Sequence, residues 1–283
     1  MTSAETGPNA QQVEYWNSPI AQTWVKLQSR LDRLFQPLTE VVLEHAAPQP
    51  GEHAIDIGCG CGATVLELAR RVGTGGHVLG IDISAPMLNL ARQRATEAGY
   101  SQTALVQADM STYGFPSQAF DLAFSRFGVM FFADPVAAFA NLRAALKPAG
   151  RLVFVCFRPL TENRWVLEPL TAVQNLLPPS PAPGPEEPGQ FAFADPDRVR
   201  RILAAAGFRD VTLTRHDPDM KLGDAEQAAD ISSQIGPIAR ALAGAPESLR
   251  TAVIEALVTA YRRLGGPGGI TLPGANWIVA AKV

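Results

Sequence analysis

Residues Ala54–Ala69 read AIDIGCGCGATVLELA, and no other stretch limits the fold as much. A short apolar run meets three glycines at alternate positions, and a helix-period pattern follows at once. That is a strand, a tight turn and the start of a helix. Glycine is needed in such a turn because it reaches left-handed backbone conformations and lets a ligand approach without a Cβ in the way. Gly58, Gly60 and Ala63 satisfy Gly-x-Gly-x-x-Ala, the dinucleotide fingerprint. Asp56, Gly58, Gly60 and Gly62 equally satisfy Asp-x-Gly-x-Gly-x-Gly. The turn alone leaves the nucleotide open.

The rest of the chain repeats the alternation. Strands are expected at His53–Ile57, His77–Ile83, Thr103–Ala108, Phe120–Ser125 and Gly150–Phe157, then at Asp210–Arg215 and Asn276–Val283. Most are continuous Val, Ile, Leu and Phe runs rather than alternating ones, as in strands buried on both faces. Helices are punctuated by Ser84, by Asp134-Pro135 with a stop at Pro148, and by Asp195-Pro196 with Gly207 closing. The expected fold is therefore α/β: a doubly wound, seven-stranded, mostly parallel sheet.

Three segments fall outside the alternation. Residues 1–48 read as an N-terminal helical lid segment before the cofactor-binding core, 49–157. The remainder, 158–283, finishes the sheet and carries helical insertions at 158–190 and 218–270, all within one structural domain. The first insertion should hold a short helix around Trp165–Leu177 and then the proline-biased loop PPSPAPGPEEPG, which cannot be a helix or a central strand. The second should hold two helices, the later one with Leu249, Val253, Leu257, Tyr261 and Leu264 on one face. Inserts at the ligand edge of such a sheet usually shape the pocket, so both are read as lids.

Composition narrows the partners. With 283 residues, 47% hydrophobic and 18% charged, the chain is globular rather than disordered. A net charge of −3 offers no electrostatic footprint for phosphate backbones, so no nucleic-acid partner is expected. Three cysteines and four histidines make no zinc framework, and no metal is expected. The start MTSAETGPNAQQVEYW lacks a basic and then an apolar region, and no run approaches a membrane span. A cytoplasmic protein without membrane insertion is expected, and a homodimer is compatible with it.

Asp82, in GIDIS at the end of the second strand, is placed to accept hydrogen bonds from ribose hydroxyls in either nucleotide reading. Three features separate the readings. Asp56 stands two residues before the first glycine, where dinucleotide folds usually carry an apolar residue. VQADM (Val106–Met110) puts an acid at the end of the third strand, where a carboxylate can accept from an adenine amino group. The chain also closes with two strands, the second placed as a terminal antiparallel insertion. On these residues the sequence resembles the class I S-adenosylmethionine-dependent methyltransferases. Within them it is most similar to the bacterial small-molecule group that includes the ubiquinone and menaquinone C-methyltransferases. The resemblance runs from about Gly51 to Phe157.

It implies S-adenosylmethionine as cofactor, with a role for each matched position. Gly58, Cys59 and Gly60 would approach the methionine part and Asp56 would orient their loop. Asp82 would hold the ribose, Ile83 and Met87 the adenine, and Asp109 the adenine amino group with Met110 beside it. Ser125 would face the cofactor, and Arg126, Phe127, Phe131 and Trp165 the acceptor. EYWNSPIAQTW resembles a lid segment of some relatives and would bring Tyr15 and Trp24 to the methionine end; the alternative is that Tyr15, Trp16 and Trp24 staple the first helix to the sheet.

The sulfonium is already a strong electrophile, so much of the barrier falls through positioning, and a base is required only for a poor nucleophile. His216 alone among the histidines follows a strand at the ligand edge and is the candidate base. No Asn/Asp-Pro-Pro-Tyr/Phe motif follows the fourth strand, which disfavours amide or base amino-group acceptors. The aromatic residues suit a small hydrophobic or aromatic acceptor instead. A nicotinamide-dependent oxidoreductase and a non-catalytic adenosylmethionine-binding protein are the alternatives.

Overall fold

The computed structural model describes residues 7–179, 184 and 187–283, so most of the proline-biased run lies outside the described residues. The chain divides into two compact units. The first comprises the chain up to Cys156 with Glu187–Arg215 and Trp277–Val283; the second comprises Phe157–Glu186 and His216–Asn276.

In chain order the elements are α1 (Ala10–Asn17), α2 (Pro19–Ala46), β1 (His53–Ile57), α3 (Ala63–Val72), β2 (His77–Asp82), α4 (Ala85–Glu97), β3 (Thr103–Gln107) and β4 (Phe120–Arg126). There follow α5 (Pro135–Ala145), β5 (Leu146–Phe157), α6 (Arg164–Val173), α7 (Pro196–Ala205), β6 (Arg209–His216), β7 (Asp219–Gly223), α8 (Ala225–Gln234), α9 (Gly236–Ala241), α10 (Glu247–Leu264), β8 (Ile270–Pro273) and β9 (Asn276–Lys282).

The first unit is built on a seven-stranded sheet in the order β3-β2-β1-β4-β5-β9-β6. Strands β1 to β5 pair in parallel. The last strand runs against them: Val283 N–H donates to Gly150 at the start of β5, while Ala275 accepts from Arg158 just past its end. Strand order reverses between β1 and β4, which sets the ligand crevice at their carboxyl ends. One face carries the apolar stripes of α2 (Leu38, Val42, Leu43), α3 (Val65, Leu68) and α4 (Leu88) on Ala54, Val78 and Phe124. The other is an aromatic cluster in which Phe139 of α5 packs on Phe154, Phe193 and Phe208.

Two expectations are corrected. Strand β5 starts at Leu146 rather than Gly150, because Leu146 pairs with Phe120 before a register shift reaches Leu122–Arg151. The extra residues of that bulge hold Pro148, where its missing N–H leaves no ladder bond unmade. Ser84 stands at the start of α4, yet its side chain caps nothing and its Oγ is buried without a partner. The backbone N–H of Ser84 is instead held by Asp82.

The second unit departs further. Gly236-Pro237 breaks the expected first helix of 218–270 into α8 and α9, so three helices stand there. Val253, Leu257 and Tyr261 form the buried face of α10, but Leu264 is exposed. Helix α10 packs on α8 and α6, and the short ribbon β7–β8 closes the excursion with Asp219 opposite Pro273. Among the described residues no helix is long and apolar enough to cross a membrane.

Candidate active site

The glycine turn leaves β1 at Ile57 and is held by backbone bonds. Gly58 and Cys59 both donate to the Ile81 carbonyl of β2, and Gly60 donates 2.7 Å to Asp82 Oδ2. Gly58, Gly60 and Gly62 all have positive φ, the conformation the sequence pattern required. Gly58 needs glycine for a second reason. A Cβ there would stand 2.7 Å from Gly128 Cα, and one on Gly128 would stand 2.5 Å from the Ile57 carbonyl oxygen. The ends of β1 and β4 thus meet main chain to main chain. Ser125 clips them together, donating 2.8 Å to Ile57 and accepting from Gly128 N–H.

Three carboxylates surround this turn. Asp56 is fully buried; its Oδ2 accepts 2.5 Å from Thr64, and Oδ1 has no partner among the described residues. Burial pushes its pKa up to about 7, with Asp82 adding to the rise and Thr64 and Arg126 opposing it. Asp82 takes Gly60 N–H on one oxygen and Ser84 N–H on the other. Burial raises its pKa too, against the pull of those donors. Asp109, at the end of β3, is buried and asymmetric. Its Oδ1 accepts from Asn9 Nδ2 (2.9 Å), Ser111 N–H (2.9 Å) and Ser111 Oγ (2.7 Å), while Oδ2 has no partner among the described residues.

The thiols of the turn are quiet. Cys59 packs into the core beneath Gly80, and burial pushes its thiol well above the usual range. Cys61 is pushed up to about 12, chiefly by burial. Neither is a nucleophile at neutral pH. Arg94 of α4 ties the Cys61 carbonyl (2.6 Å) to Asp32 of α2 (2.7 Å), fixing the turn's exit.

Other expected site residues divide by unit. In the first unit, Met87 and Met110 are buried beside Gly60 and Asp109, and Ile83 is half-buried at the end of β2. Tyr15, Trp24 and Phe131 gather edge-on around Trp16 at 5.2, 5.7 and 5.3 Å. Phe127 takes φ +65° and packs on Phe35 of α2. Arg126 is partly exposed, donates 2.8 Å to Thr39, lies 5.6 Å from the Phe35 ring and has no ion pair among the described residues.

Trp165 and His216 belong to the second unit. Trp165 is buried against Phe157 and donates to Asn163. His216 ends β6.

The sequence reading passed over Asn9, Asn17 and Gly128, and took Trp16 only as an aromatic that staples the first helix to the sheet. Asn9 and Asn17 bracket α1: Asn17 donates 3.0 Å to the Ile83 carbonyl and accepts 3.0 Å from Ala85 N–H, while Asn9 reaches Asp109 and Ala133. Two asparagines beside a short helix look like caps in a sequence, and only the fold shows their partners. Gly128 could have been read from its position directly after the fourth strand.

These contacts suit an adenosine, which both nucleotide readings contain. A buried carboxylate with one oxygen saturated and the other unspent is a receptor for a hydrogen-bond donor such as the adenine amino group, and it lies one strand from a second carboxylate suited to ribose. Residues 54–150 match the family model described as a methyltransferase domain. The chain is 32% identical over 201 residues to a nocamycin O-methyltransferase of Saccharothrix syringae, covering 68% of this chain and 71% of that one. The chain belongs to the S-adenosylmethionine-dependent methyltransferases. It is also 36% identical over 143 residues to aklanonic acid methyltransferase DauC of Streptomyces sp. (strain C5), covering 49% of this chain and 65% of that protein, just under two thirds. Demethylmenaquinone methyltransferase of Thermus thermophilus is 33% identical over 165 residues, 54% of this chain and 73% of that one. The resemblance read from DIGCGCG, Asp82 and Asp109 thus holds, and the nicotinamide reading of the turn is set aside. S-Adenosylmethionine is the cofactor, and the residues present fit it through Asp109 Oδ2 and the Cβ-free turn.

Proposed function

We propose that this chain methylates a small, hydrophobic or aromatic acceptor at oxygen, carbon or nitrogen. The observation that carries the reading is Asp109, whose buried Oδ2, like Asp56 Oδ1 beneath the turn, has no partner among the described residues. S-Adenosylmethionine supplies an activated methyl group on a sulfonium. The residues of the chain then bind, orient and exclude water: Asp82 fixes the turn from below, Asp109 selects the base, and the Trp16 cluster offers aromatic faces that favour a cationic sulfonium. The relatives named above act on nocamycin, aklanonic acid and demethylmenaquinone, which supports a small-molecule acceptor with oxygen functions. Arg126 supports it too, as a cation able to meet an anionic oxygen.

No general base is assigned. His216 is not required where positioning supplies the barrier reduction. The excursions 158–190 and 218–270 we assign to acceptor selection. A cytoplasmic location and a homodimeric state complete the reading, to be checked by cell fractionation and light scattering.

The test is calorimetric titration with S-adenosylhomocysteine, paired with NADH, followed by transfer from labelled donor to quinone and polyphenol acceptors. Micromolar binding of the adenosyl ligand alone, with label appearing in an acceptor, is expected. Tight cofactor binding with no transfer to any acceptor in an extract would favour a non-catalytic binding protein. NADH binding without the adenosyl ligand would overturn the reading altogether.

A further inference from the structure

Asn9 is the residue type that most often caps a helix, and it stands at the cap position of α1. Its side chain makes no cap bond. It is almost fully buried and is used across the fold: Nδ2 donates 2.9 Å to Asp109 Oδ1 and reaches Ser111 Oγ at 3.5 Å, while Oδ1 accepts 2.7 Å from Ala133 N–H. Both ends of its carboxamide are therefore spent, one on the loop after β3 and the other on the loop after β4. At the far end of α1, Asn17 pairs both ways with the loop after β2. The helix is a strap pinned at each end to the loops that would flank an adenosine.

The consequence lies in how Asp109 is loaded. Three donors on Oδ1 fix the carboxylate's rotation. They leave Oδ2 as the only acceptor still to be satisfied. A carboxylate held by one oxygen selects a donor at the other, because a ligand without that donor leaves a buried acceptor unpaired.

We propose that Asn9 is a positioning residue for adenine recognition: it locks Asp109 so that Oδ2 reads the 6-amino group, and it makes seating of α1 part of the base-binding site. This rests on the methyltransferase reading and deepens it. The strap is then a sensor of the base. A 6-amino purine completes the network, and a 6-oxo purine opposes Oδ2 with another acceptor.

The experiment is calorimetric titration of the full chain with S-adenosylhomocysteine and with S-inosylhomocysteine. It uses the wild type, Asn9→Ala, Asn9→Asp and Asn17→Ala, each checked for folding by thermal melting. The wild type should prefer the adenosyl ligand by about tenfold or more, the worth of a hydrogen bond to a charged group. Asn9→Ala should lose most of that preference by weakening the adenosyl ligand and leaving the inosyl one within about twofold. Asn17→Ala, which loosens the strap but not Asp109, should weaken both ligands alike. If Asn9→Ala fails to fold, Asn9→Asp keeps the shape and must show the same loss of preference, since its carboxylate cannot donate to Asp109. Equal weakening of both ligands by either Asn9 variant, or no change, overturns the proposal while leaving the cofactor reading intact. A wild type that binds neither ligand overturns both.

Discussion

Replacing Asp56 by asparagine should remove an unusual pH dependence of stability. Asp56 is fully buried at the root of the glycine turn, with Thr64 on one oxygen and nothing on the other. Burial carries its pKa from the ordinary 3.8 to about 7. The unfolded chain releases this proton near 3.8, whereas the folded chain keeps it to about 7. Between those values the folded state binds more protons, so stability falls as pH rises, the reverse of a paired surface carboxylate. Each pH unit in the window costs about 1.4 kcal/mol, and the whole window at most about 4 kcal/mol. Denaturant unfolding of wild type and Asp56→Asn, without cofactor, at steps from about pH 4 to about pH 7 isolates this group together with its coupling to Asp82, because titrations not coupled to it cancel in the difference. The amide places an N–H where the unpartnered oxygen stood, which adds a constant offset and no slope. The variant's relative stability should therefore climb by more than 2 kcal/mol across that range, an allowance for partial relaxation of the site. A flat difference would show that Asp56 ionises normally in the folded protein and that the burial argument fails.

Other outcomes follow from single contacts. Asp82→Ala frees the N–H groups of Gly60 and Ser84 and should weaken S-adenosylhomocysteine at least about tenfold by calorimetry. Gly128→Ala drives a Cβ into the Ile57 carbonyl and Gly58 Cα, so it should cost about 1–3 kcal/mol in unfolding experiments and lower cofactor affinity as well. Trp16→Ala removes the hub of three ring contacts and should lower the melting temperature by several degrees, read by thermal melting. His216→Ala should keep near-full turnover; a large loss of kcat that tracks the titration of a histidine would restore it as the base.

Much of the first unit was legible because its signals are local. The strand, turn and helix of Ala54–Ala69 are written in neighbouring residues, and the carboxylates Asp82 and Asp109 follow from being the acids at strand ends. Bounds slipped where a bulge carries the geometry, as at Leu146, since a proline allowed in a bulge reads as a stop. The short strands β7 and β8 escaped notice although their burial alternates residue by residue, because four or five residues of period two beside long helical runs make a faint signal. The asparagine contacts were not legible at all. Asn9 and Asp109 are 100 residues apart, and nothing in either neighbourhood announces the other. Ser84 misled for the converse reason: a cap residue in the right place faces Pro86 at the second helical position, which has no N–H to give.

The packing of α10 on both α8 and α6 sets a rule for recombining this protein with its relatives. The ribbon β7–β8 brings the ends of the excursion 219–273 together, so by chain connectivity alone that stretch could be exchanged as a cassette. Its long helix, however, shares its apolar face with a helix from the earlier excursion. A graft of one stretch alone would strip cover from the facing sides of α6 and α10, leaving two greasy surfaces instead of one shared core. The two excursions are inherited as a pair, and a working chimera must cut the chain in four places rather than two.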